Sequence, residues 1–132
     1  MSKYKIKIKY TTGNSFGRHD QEDYIDDDLV WEDIDIVKKN VEAIREHEEM
    51  YEKLEYGRCF DKKSILDKYK DKDWYVEESD KTLMGLNYHS IKIYLDNGNF
   101  MKISPFWQGY FETLNEVEVE DITCSSLSFK IN

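Results

Sequence analysis

The sequence predicts an α+β domain: an antiparallel sheet with one long amphipathic helix and one short helix packed on a face. Three observations carry this. Residues 3–10 alternate strictly between apolar and basic side chains. Apolar residues between Ile34 and Leu54 recur at spacings of three and four. Near the C-terminal third, Asp96-Asn97-Gly98 separates two short alternating segments.

The N-terminal alternation places Tyr4, Ile6, Ile8 and Tyr10 on one side of a strand and Lys3, Lys5, Lys7 and Lys9 on the other. A half-buried strand has this pattern, and lysines on its outer face suit an edge position. Gly13-Asn14 marks a turn, and an acidic loop follows it. Leu29-Val30-Trp31 reads as a brief strand that leads into the helix. Asp33 is the expected N-cap. From there Ile34, Val37, Val41, Ile44, Tyr51 and Leu54 form the inward stripe, interrupted at Glu48, and the helix runs for about 20–24 residues to a stop near Gly57. A second helix is expected over 62–70, capped by Asp61, with Ile65, Leu66 and Tyr69 inward. Residues 73–81 read as irregular.

The next expected elements are strands near 89–95 and 99–103. A three-residue Asp96-Asn97-Gly98 loop with a left-handed glycine sets Ile93 opposite Met101 and Ile91 opposite Ile103. A two-residue Asn-Gly loop would set Ile93 opposite Lys102, an inferior match. Val117 and Val119 alternate with Glu116, Glu118 and Glu120, and Leu127, Phe129 and Ile131 alternate again, so both segments read as strands.

A chain of 132 residues supports one hydrophobic core, and residues 1–132 are expected to form a single domain. Its 19 aromatic residues argue against acidic disorder. A net charge of −9 disfavours direct binding to DNA or RNA. The charge is segregated: residues 1–18 contain five bases and no acid, and residues 19–35 contain nine acids and no base. These runs read as solvated surface, or as a basic face for an anion and an acidic face for a basic partner protein. Cys59 and Cys124 lack metal-ligand or CxxC spacing and are expected to be reduced thiols in a cytoplasmic protein. No signal segment or membrane span is legible.

Catalytic signatures are missing. There is no phosphate-binding glycine loop and no HExxH, so no catalytic or metal-ligating residue is assigned and no cofactor is implied. His47 reads as a solvated helix histidine and His19 as a residue of a charged loop, while His89 flanks a strand. The most informative segment is Pro105-Phe106-Trp107-Gln108-Gly109-Tyr110-Phe111. Its aromatics, placed in a connection rather than a strand, serve either to plug the sheet against the helix or to present a stacking surface. In the second case Phe106, Trp107 and Tyr110 stack on a base or wall a pocket. Asn97, Asn99 and Gln108 then read polar edges, and Arg18 and Arg58 neutralise phosphate.

The run from Lys3 to Phe16, the Leu29-Val30-Trp31-Glu32-Asp33 entry to the helix, Ile44-Arg45-Glu46-His47-Glu48-Glu49-Met50-Tyr51, Leu95-Asp96-Asn97-Gly98-Asn99 and Phe106–Leu114 occur in this order. In that order the chain resembles, over nearly its whole length, a family of short phage and prophage proteins of low-GC Gram-positive bacteria. More narrowly, it is similar to the Thoeris anti-defence sponge proteins, which sequester a cyclic ADP-ribose signal at subunit interfaces. The resemblance implies a non-enzymatic, homo-oligomeric accessory protein in the cytoplasm of the infected host, capturing a small signalling nucleotide of the cyclic ADP-ribose or cyclic oligonucleotide type. The acidic run supports the alternative, an acidic inhibitor that binds a host defence protein as anti-CRISPR or DNA-mimic proteins do.

Overall fold

The computed structural model describes residues 2–14, 16–56, 62–77, 81–83, 86–108 and 112–123. In chain order the elements are β1 (Tyr4–Asn14), β2 (Gly17–Tyr24), α1 (Ile34–Tyr56), α2 (Lys62–Tyr69), β3 (Lys81–Leu83), β4 (Leu86–Tyr88), β5 (Ile91–Tyr94), β6 (Phe100–Ile103) and β7 (Thr113–Asp121). Among the described residues all pairings are antiparallel: a three-stranded sheet in the order β2-β1-β7 and two hairpins, β3-β4 and β5-β6. With one long and one short helix, the expected α+β class is observed.

Strand β1 is the centre of its sheet, not an edge. Strand β2 flanks one side in a register that sets Ile8 opposite Asp23 and Tyr10 opposite Gln21, and β7 flanks the other. The inner face of β1 delivers Ile6 and Ile8 to the core, where Val117 and Val119 of β7 join them. The lysines of the outer face meet acids from both neighbours. Lys9 Nζ lies 3.1 Å from Glu118 and 3.3 Å from Glu22, and Lys7 Nζ lies 3.4 Å from Glu120. The charges segregated along the sequence are therefore interleaved across the sheet, and the predicted basic face is a mixed ion-pair ladder. Residues 19–24, expected in an acidic loop, lie in β2 and carry His19 with them. The predicted strand at Leu29–Trp31 is reduced to one bridge between Trp31 and Tyr4.

Helix α1 begins where the capping residue predicts. The Asp33 carboxylate accepts the Asp35 amide at 2.9 Å, and the Asp33 carbonyl accepts the first helical bond from Val37. Val37, Val41, Ile44 and Tyr51 are buried, while Ile34 and Leu54 are partly so. The β5-β6 hairpin has the predicted register, Ile91 opposite Ile103 and Ile93 opposite Met101, with Gly98 at φ +86°. It is tied to α1 by Asn40, whose amide nitrogen donates to the Tyr94 carbonyl at 2.9 Å and whose oxygen accepts the Tyr94 amide at 2.8 Å. Trp31 Nε1 donates to the same carbonyl at 2.8 Å, and Asp96 accepts the Glu32 amide at 2.8 Å.

The segment after α2 is more ordered than its composition suggests. Trp74 and Val76 are buried, and Tyr75 bridges to Ile91. Hairpin β3-β4 was not legible in the sequence. The predicted stops and caps at Gly57 and Asp61, both cysteines and the predicted strand at 127–131 lie outside the described residues.

Two glycines test the hairpins. Gly13 has φ +138°, and a Cβ there would lie 2.2 Å from the Gly17 carbonyl oxygen, whereas Gly98 has open space around it. We expect Gly13→Ala to cost about 3 kcal/mol, from strain plus a backbone clash, and Gly98→Ala about 1 kcal/mol. Urea unfolding of the two variants measures this, and equal costs would contradict the β1-β2 turn geometry.

Candidate functional site

The aromatic segment after β6 divides its side chains between interior and surface. Pro105 and Trp107 are buried, Trp107 completely, and Phe106 is 37% exposed. A tight turn produces the division, with the Gln108 amide donating to the Pro105 carbonyl at 3.0 Å. Trp107 therefore fastens the segment to the core and offers no face to a ligand, so the expected stacking role fails for this residue. Tyr110, Phe111 and Arg58 lie outside the described residues.

Phe106 packs edge-on against Trp107, with ring centroids 5.1 Å apart, and against Tyr10, at 5.6 Å. There it meets the acidic run. A cleft of about 560 Å³ is lined by Tyr10, Phe106, Tyr24, Ile25 and the carboxylate-bearing Asp23, Asp26, Asp27 and Asp28. The register of β2 brings Asp23 beside Tyr10, whose hydroxyl donates to Asp23 at 2.7 Å. That bond, reinforced by burial and by the neighbouring acids, pushes the Tyr10 hydroxyl up to about 12, so it stays protonated and donating. The loop beyond β2 is shaped by two contacts. Asp26 accepts the Asp28 amide at 2.8 Å, and Lys5 Nζ donates to the Asp27 carbonyl. Four carboxylates and no basic side chain line the cleft among the described residues. Aromatic rings beside carboxylates form an environment for a cation, and a phosphate there would face like charge.

Among the described residues, the other predicted ligand-binding residues do not converge on this cleft. Asn97 and Asn99 occupy the closed end of the β5-β6 hairpin, where Asn97 caps the Asn99 amide at 2.9 Å; Phe106 lies beyond the open end, past Ile103. Arg18 is exposed near the start of β2, 3.5 Å from Thr113. Gln108 is buried and turned towards α1.

Gln108 points to a buried polar cluster that the sequence reading missed. Its amide nitrogen donates to Glu48 Oε2 at 2.9 Å and lies 3.2 Å from His47 Nδ1. His47 is fully buried, contrary to the expected solvated histidine, and His89 is 4% exposed. Burial, and secondarily the proximity of His89, lowers the His47 imidazole to about 4. Burial raises the Glu48 carboxyl to about 7, assisted by the charge of Glu52 and opposed by the Gln108 bond. The signal was present in the sequence: Glu48 occupies the gap in the inward stripe, and His47 sits three residues after Ile44. Among the described residues no group of His, Cys, Asp and Glu is placed to hold a metal ion, and no helix is long and apolar enough to cross a membrane.

A second concavity, about 460 Å³, is lined by Lys70, Lys72, Lys92, Tyr75 and Phe100 together with Asp71, Asp73 and Glu77. Its charges balance. Comparison with protein-family models, curated proteins and solved structures gave no match.

The buried cluster generates a pH prediction. A Glu48 carboxyl raised from 4.5 to about 7 favours the folded state fully below pH 4.5, and that contribution disappears as pH rises through 7. His47 works the other way. Its contribution is complete above its ordinary value of 6.5 and is lost as pH falls through about 4. Glu48→Gln retains His47 and removes the carboxyl, so the variant should match the parent near pH 4.5 and exceed it by roughly 2–3 kcal/mol at pH 8. Thermal unfolding across this range checks the difference; a gap independent of pH would refute the assignment.

Proposed function

We propose that this chain is a non-catalytic binding protein that presents an acidic, aromatic-walled cleft to a basic surface of a protein partner. The resemblance to phage accessory proteins makes a host defence protein the partner class. The observation that carries the reading is the convergence of Tyr10 and Phe106 with Asp23, Asp26, Asp27 and Asp28 in one cleft. The acids supply long-range attraction and the rings a desolvated contact for the cationic group. Folding strengthens the protein-partner reading relative to nucleotide capture, because Trp107 turns inward and the surface beside Phe106 is anionic. A specific observation still favours capture as a second reading. Lys92 and the rings of Tyr75 and Phe100 line the charge-balanced concavity, where a nucleotide would find a ring and a cation together.

Immobilised protein exposed to bacterial lysate separates these readings. We expect retention of a protein that elutes as salt is raised and is lost in a Phe106→Ala variant carrying Asp23→Asn and Asp27→Asn. Retention unaffected by salt and by those substitutions contradicts the acidic-cleft reading. A nucleotide released on heating, with no protein retained, supports the second reading instead.

A further inference from the structure

The cleft lies against a sheet edge that is open among the described residues. Strand β2 is terminal in the order β2-β1-β7, and Gly17–Asp23 are all exposed. The bonding parity of its backbone follows from two neighbouring pairs. The Ile25 amide donates to the Ile6 carbonyl at 2.9 Å, and Tyr4 and Trp31 exchange both backbone bonds, at 2.7 and 2.9 Å. Even-numbered residues of β1 thus bond towards the β2 side. In the observed register their partners on β2 are Gly17, His19, Gln21 and Asp23. Alternation in an antiparallel ladder then points the N–H and C=O groups of Arg18, Asp20, Glu22 and Tyr24 outwards.

We propose that this edge accepts an extended lysine- or arginine-rich segment of the partner as an added strand, with one of its basic side chains entering the Tyr10-Phe106 cleft. The inference rests on the acidic-cleft reading and specifies how the partner docks. A strand laid against β2 carries side chains on both faces of the sheet. On the inner face its nearest β2 side chain is Asp23, which lines the cleft. On the outer face its neighbours are Arg18, Asp20, Glu22 and Tyr24, with Glu22 paired to Lys9 and Asp20 accepting from Thr11. A cationic residue on the inner face meets Asp23 and the acids of the cleft, and main-chain hydrogen bonds fix the register. The same acids oppose a second copy of this chain, because two β2 strands side by side would juxtapose carboxylates.

The test uses two capped octapeptides of equal charge, one alternating lysine with threonine and one of the same sequence methylated at every amide nitrogen, titrated into the intact protein at low salt. Methylation of every amide removes the donors on both edges of the peptide, so the methylated peptide cannot complete the ladder. The lysine-threonine peptide should bind at least about tenfold more tightly, the equivalent of one or two net hydrogen bonds. It should slow amide exchange at Arg18, Asp20, Glu22 and Tyr24 while leaving His19, Gln21 and Asp23 unchanged. Glu22→Pro should abolish the preference and Glu22→Gln should retain it, with thermal unfolding confirming that both variants fold. Equal binding of the two peptides, or slowed exchange without the alternation, overturns strand addition and leaves the cleft reading standing. Failure of both peptides to bind overturns both. A homodimer in light scattering that excludes the peptide and separates on Glu22→Pro assigns the edge to a second copy and also overturns the proposal.

Discussion

The register that locks β1 between β2 and β7 is the constraint on which the rest of the molecule depends. It directs Ile6 and Ile8 inwards, sets Lys7 and Lys9 among Glu22, Glu118 and Glu120, and puts Asp23 within reach of the Tyr10 hydroxyl. A slip of one residue would reverse every face of β1, exposing isoleucines and burying lysines. The half-exposed ion pairs contribute little stability individually. Their larger consequence is electrostatic: Lys7 and Lys9 are matched within the sheet, Lys5 reaches the Asp27 carbonyl and the Tyr24 ring, and the carboxylates of Asp26–Asp28 remain as a surface feature.

Trp107 supplies the opposing wall. Truncating a fully buried tryptophan costs on the order of 3–5 kcal/mol, so its burial holds the post-β6 turn firmly in place. With Trp107 inward, its predecessor Phe106 faces Tyr10 and its successor Gln108 reaches Glu48 and His47. One anchor thus positions both an exposed ring and a buried polar cluster. Gln108 Oε1 has no hydrogen-bond partner among the described residues.

Much of this architecture was legible from local chemistry. The β5-β6 register followed from alternation on either side of Asp96-Asn97-Gly98, and the start of α1 from Asp33 and the three-four repeat. Strand β2 was not legible because Gly17-Arg18-His19-Asp20-Gln21-Glu22-Asp23-Tyr24 has no apolar alternation; it is held by backbone pairing to β1 and is solvated on both faces. The central position of β1 depends on β7, about a hundred residues away, a distance over which local pattern carries no information. Asn40 and His47 fall on the inward stripe of α1 but are polar, so hydrophobic periodicity passes over them. Of the predicted ligand-binding residues that are described, Phe106 reaches this cleft, and it does so beside acids rather than beside Arg18.

The ladder and the anchored turn together bring the most acidic and the most aromatic stretches of the sequence to one place, which makes a cation the natural occupant. The most direct measurement is a chemical-shift titration with N-acetyl-arginine amide, followed by a cyclic nucleotide. The arginine derivative is expected to shift the resonances of Tyr10, Asp23 and Phe106, weakening as salt is raised, and the nucleotide to leave them in place. Shifts at those residues with the nucleotide alone, or none with either compound, would contradict a cation as the occupant.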